Sequence, residues 1–274
     1  MTVSDLMHRM HAVREVRRTY ENWPLWFLSR MGIHLGGAST EIKVNGSKLL
    51  APNNAESWGI ADQVWRLKVY TKHFPILSGY RVLDVGAHFG FFSVFAALQN
   101  HGVNVVSYEP SKSTFGILKE NLEINLDPKS SFAFNFGLGD RSEESIFYKP
   151  EGHDASGTLF KRNLRQASSP IIEERVSIEE AGRIWDVFES YDFAKLDCEG
   201  AELAILQCLG EEVKRLRYIA LEYHENPKDI ARLLLSKNFS IVEIVPLEIN
   251  SPWNAFSHMG MLYAKNDHFQ ANAS

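Results

Sequence analysis

The chain of 274 residues is 45% hydrophobic and 23% charged, with a formal net charge of −5 and a sequence pI near 6.1. That length buries a sizeable core and suits one large α/β domain with an N-terminal extension, while the acidic balance argues against a broad attraction to nucleic acid. With only Cys198 and Cys208 and no uninterrupted apolar run long enough to span a bilayer, neither a disulfide framework, a cysteine zinc site, a signal peptide nor a membrane span is expected, and the default location is cytoplasmic.

Residues from about Val3 to Tyr20 have helical spacing, with Leu6, Met10, Val13 and Tyr20 near one face and Arg9, Arg14, Arg17 and Arg18 largely on another. Trp23-Pro24-Leu25-Trp26-Phe27-Leu28 follows as an aromatic, apolar knot. Residues 1–40 therefore read as a helical cap, packed on the domain or, as a homo-oligomer contact, on a second subunit. A basic amphipathic segment with tryptophans is also suited to peripheral contact with a membrane surface. Residues 41–79 read as a hairpin turned at Asn45-Gly46, then a helical approach from Trp58 to Phe74 that Pro75 closes.

The central stretch runs from Arg81 to Gly90. Val82, Leu83 and Val85 make a β-rich run of the kind buried on both faces of a parallel sheet. Gly86 allows a tight turn, Gly90 lets the next helix, Phe91 to Leu98, pack close, and together they predict a strand-turn-helix nucleotide site. Asp84 adds a carboxylate near the turn, which suits a cationic ligand such as S-adenosylmethionine, with its ammonium and sulfonium, better than a phosphate. His88 stands where dinucleotide sites use their middle glycine to approach a pyrophosphate, which counts against NAD. Strand Val105 to Tyr108 ends in Glu109, roughly 20 residues after the glycines, where an acidic side chain accepts both ribose hydroxyls.

Ser111 caps a helix ending near Asn125, and Phe132 to Phe136 forms a third strand that runs into Gly137-Leu138-Gly139-Asp140. Asp140 is placed to reach an adenine amino group, or serves simply as a turn residue. Ser145 to Lys149 predicts an extra strand, Pro150 to Ser169 a polar lid, and Ile184, Trp185 and Phe188 a helix. Strand Phe193 to Leu196 opens into Asp197-Cys198-Glu199-Gly200-Ala201-Glu202, whose three carboxylates lie at the carboxyl edge of the sheet, before a helix that Gly210 caps. Strand Tyr218 to Leu221 ends in Glu222-Tyr223-His224-Glu225. A helix from Lys228 to Leu235, strands Ser240 to Val245 and Met259 to Ala264, and a tail over 267–274 complete the chain.

This order of elements, with Asp84-x-Gly86-Ala87-x-x-Gly90, Glu109-Pro110 and above all Asp197-x-Glu199-Gly200-Ala201-Glu202, resembles the FkbM family of S-adenosylmethionine-dependent methyltransferases over residues 80–266. The resemblance implies a Rossmann-like class I fold, a seven-stranded, mostly parallel sheet with an antiparallel last strand. It also implies methyl transfer to an oxygen of a small molecule, sugar or natural product. Asp84, Gly86 and Gly90 would hold the methionine part of the donor, Glu109 the ribose, and Asp140 the adenine side. Asp197 would lie beside the amino acid part or the acceptor, and Ala87, Pro110 and Gly139 complete the cofactor-binding set. His88 departs from the asparagine common at its position.

The sulfonium already activates the methyl group, so transfer needs proximity, orientation and a base for the acceptor proton. His224 is the first candidate, since its ordinary pKa lies near working pH. In a second scheme Asp197, Glu222 and His224 bind Mg²⁺ or a related ion that acidifies the acceptor hydroxyl, a layout resembling catechol-type methyltransferases. His153 and His258 are further candidates, Trp58, Trp65 and Trp253 could line an acceptor pocket, and Glu199 and Glu202 have a plain alternative as helix-start carboxylates. A scaffold protein that has lost its chemistry, an RNA methyltransferase and an NAD-dependent enzyme are the competing classes.

Overall fold

The structure, a computed structural model, describes residues 12–151, 157–159, 169–246 and 259–270. The start of the expected N-terminal helix, most of the expected lid with His153, and the stretch holding Trp253 and His258 lie outside the described residues.

Helix α1 (residues 12–19) and helix α2 (Trp23–Arg30) lead into a hairpin of β1 (Ser39–Val44) and β2 (Ser47–Pro52). Asn45 and Gly46 both take positive φ, 49° and 79°, the conformation whose twist suits a two-residue hairpin. Next come α3 (Ala55–Ala61), β3 (Arg81–Val85), α4 (Phe91–Ala97), β4 (Asn104–Tyr108), α5 (Lys112–Asn125) and β5 (Ser131–Phe134). Three strands then form a separate small sheet: β6 (Gly137–Gly139), β7 (Glu143–Pro150) and β8 (Ile171–Glu180). The main sheet resumes with β9 (Tyr191–Leu196), α6 (Glu202–Leu209), β10 (Leu216–Tyr223), α7 (Pro227–Ser236), β11 (Phe239–Pro246) and β12 (Gly260–Asn266).

The main sheet has seven strands in the order β11-β12-β10-β9-β3-β4-β5. All are parallel except the last in sequence, β12, which pairs antiparallel with both β10 and β11. Strand order runs outward in one direction from β3 to β5 and in the other from β9, so the topological switch falls between β3 and β9. In open α/β sheets ligands bind at the carboxyl ends beside such a switch.

Alternate residues of these strands feed two cores. Val82, Val105 and Phe193 face α4, α5 and the N-terminal elements, whereas Leu83, Val106, Ala194 and Leu221 face α6 and α7. Val16 and Tyr20 of the N-terminal region belong to the first of these cores. Asn121 of α5 fastens the hairpin to the domain: it exchanges hydrogen bonds with the backbone of Leu50 at 2.6 and 2.9 Å and donates to the carbonyl of Phe89 at 2.8 Å.

Three sequence expectations are corrected. The helix expected from Trp58 to Phe74 is α3 followed by a π turn, Asp62–Arg66, and it ends there because Lys68 takes a positive φ of 52°. The wide turn keeps Asp62 buried as the anchor of the cap. Its carboxylate accepts from Tyr20, Trp26, Arg30 and both ends of the Arg66 fork at 2.8–3.2 Å. The third strand stops at Phe134, and Gly137–Gly139 instead pairs with β8. The helix expected around Ile184 is a 3₁₀ helix, Ala181–Asp186, preceded by the ten-residue strand β8.

Candidate active site

The turn after β3 is built on glycines. Gly86 has φ +76°, and a Cβ there would lie 1.9 Å from the Asp197 carbonyl oxygen, so only glycine lets the ends of β3 and β9 meet. Gly90 has φ +78°, and a Cβ would lie 2.5 Å from Leu118 Cδ1, so it sets how closely α5 covers the start of α4.

Beyond these ends lies a cavity of about 630 Å³. Gly86, Ala87, Glu109 and Pro110 line one side of it, Asp197, Glu199 and Glu222 another, and Arg30, Glu56 and Gln63 of the N-terminal elements reach its wall. Of the aromatic candidates for an acceptor pocket, Trp58 and Trp65 are buried in the core and off this wall.

Glu109 is buried, and each oxygen accepts one backbone N–H: Oε2 from His88 and Oε1 from Ser111, both at 2.9 Å. An ionised carboxylate offers about four lone-pair sites, so one acceptor position per oxygen is left for a pair of hydroxyls. Burial pushes the Glu109 carboxyl up to about 7, although the same two N–H groups pull it down. His88 sits at φ 52° and contributes its backbone N–H to this contact.

Asp84 is set behind the cavity wall and is fully buried. It accepts from Ser93 Oγ at 2.6 Å and from Lys195 Nζ at 3.0 Å. Lys195 also donates to the Gly86 carbonyl at 2.7 Å and lies 3.9 Å from Asp197 Oδ2, so it ties the turn to both carboxylates and itself reaches the cavity. Burial alone would lower the Lys195 pKa, yet Asp84 and Asp197 hold it above its ordinary value. Sequence reading missed Lys195. The available signal was a lysine inside an otherwise apolar strand, in register beside Asp84.

Asp197 lines the cavity and accepts from Tyr70 Oη at 2.7 Å. Tyr70 was also missed, because the stretch was read as continuous helix. Glu202 fixes the loop that follows: Oε1 accepts from Cys198 N at 2.8 Å and Oε2 from Gly200 N at 3.1 Å. Glu202 Oε1 also meets His224 Nδ1 at 3.0 Å, which orients the imidazole so that Nε2 lies 3.6 Å from Glu199 and 3.8 Å from Glu222. His224 is 3% exposed and stands behind the wall that Glu199 and Glu222 form. Desolvation raises the carboxyl pKa of both glutamates, and for His224 the neighbouring Glu202 and Glu199 outweigh burial and raise it.

Asp197, Glu199 and His224 form one group whose potential ligand atoms lie within 4.8 Å of one another. Glu199 thus stands in it where Glu222 was expected. Gly139 and Asp140 are off the cavity wall, and Asp140 is exposed near Cys208 Sγ. Gly137 and Leu138 line the wall in their place.

Comparison with known proteins agrees with this architecture. Residues 84–259 match the Methyltransferase FkbM domain. A hexuronic acid methyltransferase, AglP, from Haloferax volcanii is 27% identical over 159 residues, which are 57% of this chain and 62% of the relative. The methyltransferase sdnD from Sordaria araneosa is 26% identical over 190 residues, 58% of this chain and 73% of the relative. A structure from Streptococcus mutans assigned as a SAM-dependent methyltransferase shares the fold, with a TM-score of 0.50 at 10% identity over 85% of this chain and 57% of that one. The domain match covers most of the chain and contains both the Gly86 turn and the Asp197 to Glu202 loop, so this protein belongs to the FkbM methyltransferase family.

Proposed function

We propose that the protein transfers the methyl group of S-adenosylmethionine to a hydroxyl of a small molecule of the sugar or natural-product type. The observation that carries this reading is the pairing of Glu109, which keeps two acceptor positions for ribose, with a carboxylate-rich wall of Asp197, Glu199 and Glu222 in one cavity. That wall favours a ligand bearing ammonium and sulfonium charge. The relative named as a hexuronic acid methyltransferase supports a small acceptor of the sugar type.

For the acceptor proton, the geometry favours a relay over direct contact. Glu199 faces the cavity and receives the proton, while His224, held by Glu202, stabilises the carboxylate from behind. His224→Ala is then expected to lower turnover by about tenfold to a thousandfold while leaving donor affinity within a few-fold. An equal loss in both quantities would give His224 a purely structural part.

A second reading is favoured by the Asp197, Glu199 and His224 group, whose oxygen and nitrogen donors fit Mg²⁺ or Mn²⁺. Such an ion would acidify an acceptor hydroxyl. Assaying labelled methyl transfer to a panel of sugar and natural-product hydroxyls, before and after EDTA, tests both readings. Transfer that survives chelation supports the relay, and transfer restored only by Mg²⁺ supports the ion. No transfer to any hydroxyl acceptor, with the donor bound, contradicts both.

Glu109→Ala is expected to weaken S-adenosylhomocysteine binding by roughly tenfold to a hundredfold through loss of the ribose contacts. Because folding raises the Glu109 pKa from 4.5 to about 7, its contribution to stability is complete below 4.5 and is lost as pH rises through 7. The variant should therefore lose less stability than the parent between these pH values, which denaturant titrations across the range would show.

A further inference from the structure

We propose that helix α2 and the loop after it, residues 31–37, form a docking surface for an anionic lipid bilayer. Helix α2 carries Trp23, Leu25, Trp26, Phe27 and Leu28 in eight residues, yet its one buried residue is Ser29. Its aromatic side chains pack on the core yet stay partly exposed. They form a continuous ladder, Trp23 on Phe27 at 5.8 Å and Phe27 on Trp26 at 4.9 Å, with the Arg17 guanidinium over Trp23 and that of Arg30 over Trp26. Tryptophan flanked by arginine is the side-chain pairing that suits the boundary between headgroups and acyl chains.

The loop extends this surface. Met31, Ile33 and Leu35 are 65%, 45% and 61% exposed, three large apolar side chains in five residues. Their exposure is built in by the backbone: Ile33 N–H donates to Leu28 O at 2.8 Å, and Asn53 Nδ2 holds the carbonyls of Leu35 and Gly37 at 3.0 and 3.2 Å. Three exposed large apolar side chains clustered within one loop mark an interaction site.

Charge selects the partner. The chain as a whole is acidic, but residues 12–37 hold Arg14, Arg17, Arg18 and Arg30 against Glu15 and Glu21, with Arg18 paired to Glu15 and Arg30 to Asp62 from outside the stretch. This local reversal of sign fits an anionic surface. Among the described residues no helix is long and apolar enough to cross a membrane, so the contact is peripheral. Arg30 belongs both to this surface and to the cavity wall, which sets the cavity beside the lipid contact.

The test is co-sedimentation of the full chain with vesicles of mixed phosphatidylglycerol and phosphatidylcholine, and with vesicles of phosphatidylcholine alone. Binding to the anionic vesicles is expected, weakened by salt, with Met31→Ser, Ile33→Ser and Leu35→Ser together reducing partitioning on the order of tenfold. Arg14→Ala and Arg17→Ala should each reduce it about fivefold, corresponding to about 1 kcal/mol per basic residue. Thermal melting checks that the variants fold, and sedimentation velocity reads their association state. Failure of the parent protein to bind anionic vesicles, or binding that the triple variant leaves unchanged, overturns the proposal. So does a dimer that the triple variant dissociates, which would make the surface a contact between two copies of this chain.

Discussion

Replacing Lys195 by Met is expected to cost about 3–5 kcal/mol of stability, because it leaves the buried Asp84 carboxylate without its cationic partner. For a chain of this size that corresponds to a fall in melting temperature of roughly 6–20 °C. Met keeps much of the lysine stem's volume, so the loss reads charge and hydrogen bonding more than packing. Among the described residues Ser93 would remain as the one side-chain partner of Asp84, and its hydroxyl cannot neutralise a charge in the interior. Adding Asp84→Asn to Lys195→Met should return part of the loss, since the orphaned charge is then gone. Melting curves of the two single variants and the double variant decide this. If the two losses simply add, Asp84 and Lys195 are not the coupled pair described above.

Gly86→Ala is expected to reduce S-adenosylhomocysteine affinity by more than a hundredfold. The added Cβ would collide with the backbone of Asp197, with its carbonyl oxygen at 1.9 Å and carbonyl carbon at 2.8 Å, and no side-chain rotation relieves that. The β3 and β9 ends would have to separate, taking Asp197 and the Lys195 contact to the Gly86 carbonyl with them. Holding a non-glycine residue at positive φ adds strain of about 1–3 kcal/mol. Gly182→Ala is the matched control, since its Cβ would meet nothing within 4 Å. Calorimetry should find the control's affinity close to that of the parent. A Gly86→Ala protein that binds the nucleotide normally would remove the close approach of the two strand ends from the account of the site.

The main sheet was legible in the sequence because its strands are short apolar runs, with β3 ended by Gly86, β4 by Glu109 and β9 by Asp197. The positive φ required at Asn45 and Gly46 made the hairpin equally readable. Glu109 was legible because its place follows from spacing along a strand-turn-helix-strand unit. Lys195 and Tyr70 were not, because their partners Asp84 and Asp197 lie 111 and 127 residues away in sequence, and only strand pairing brings them together. Asp84 was recognised as a carboxylate at the turn, but the side of the strand on which it is neutralised depends on register, which local pattern does not give. His224 and Asp197 were both named, yet the wall of Glu199 and Glu222 between His224 and the cavity emerges only where the Asp197 to Glu202 loop packs on the end of β10. The helix expected through Phe74 failed where Lys68 turns the chain, at a residue with no distinguishing side-chain chemistry.

The central claim is that the cavity beyond β3 and β9 is a methyl-donor site. Calorimetric titration of the full chain with S-adenosylhomocysteine, with NAD in parallel, tests it most directly. The account predicts affinity in the micromolar range for the first, about −8 kcal/mol, and no heat from the second. Absence of S-adenosylhomocysteine binding by a folded protein, or binding of NAD instead, would contradict it.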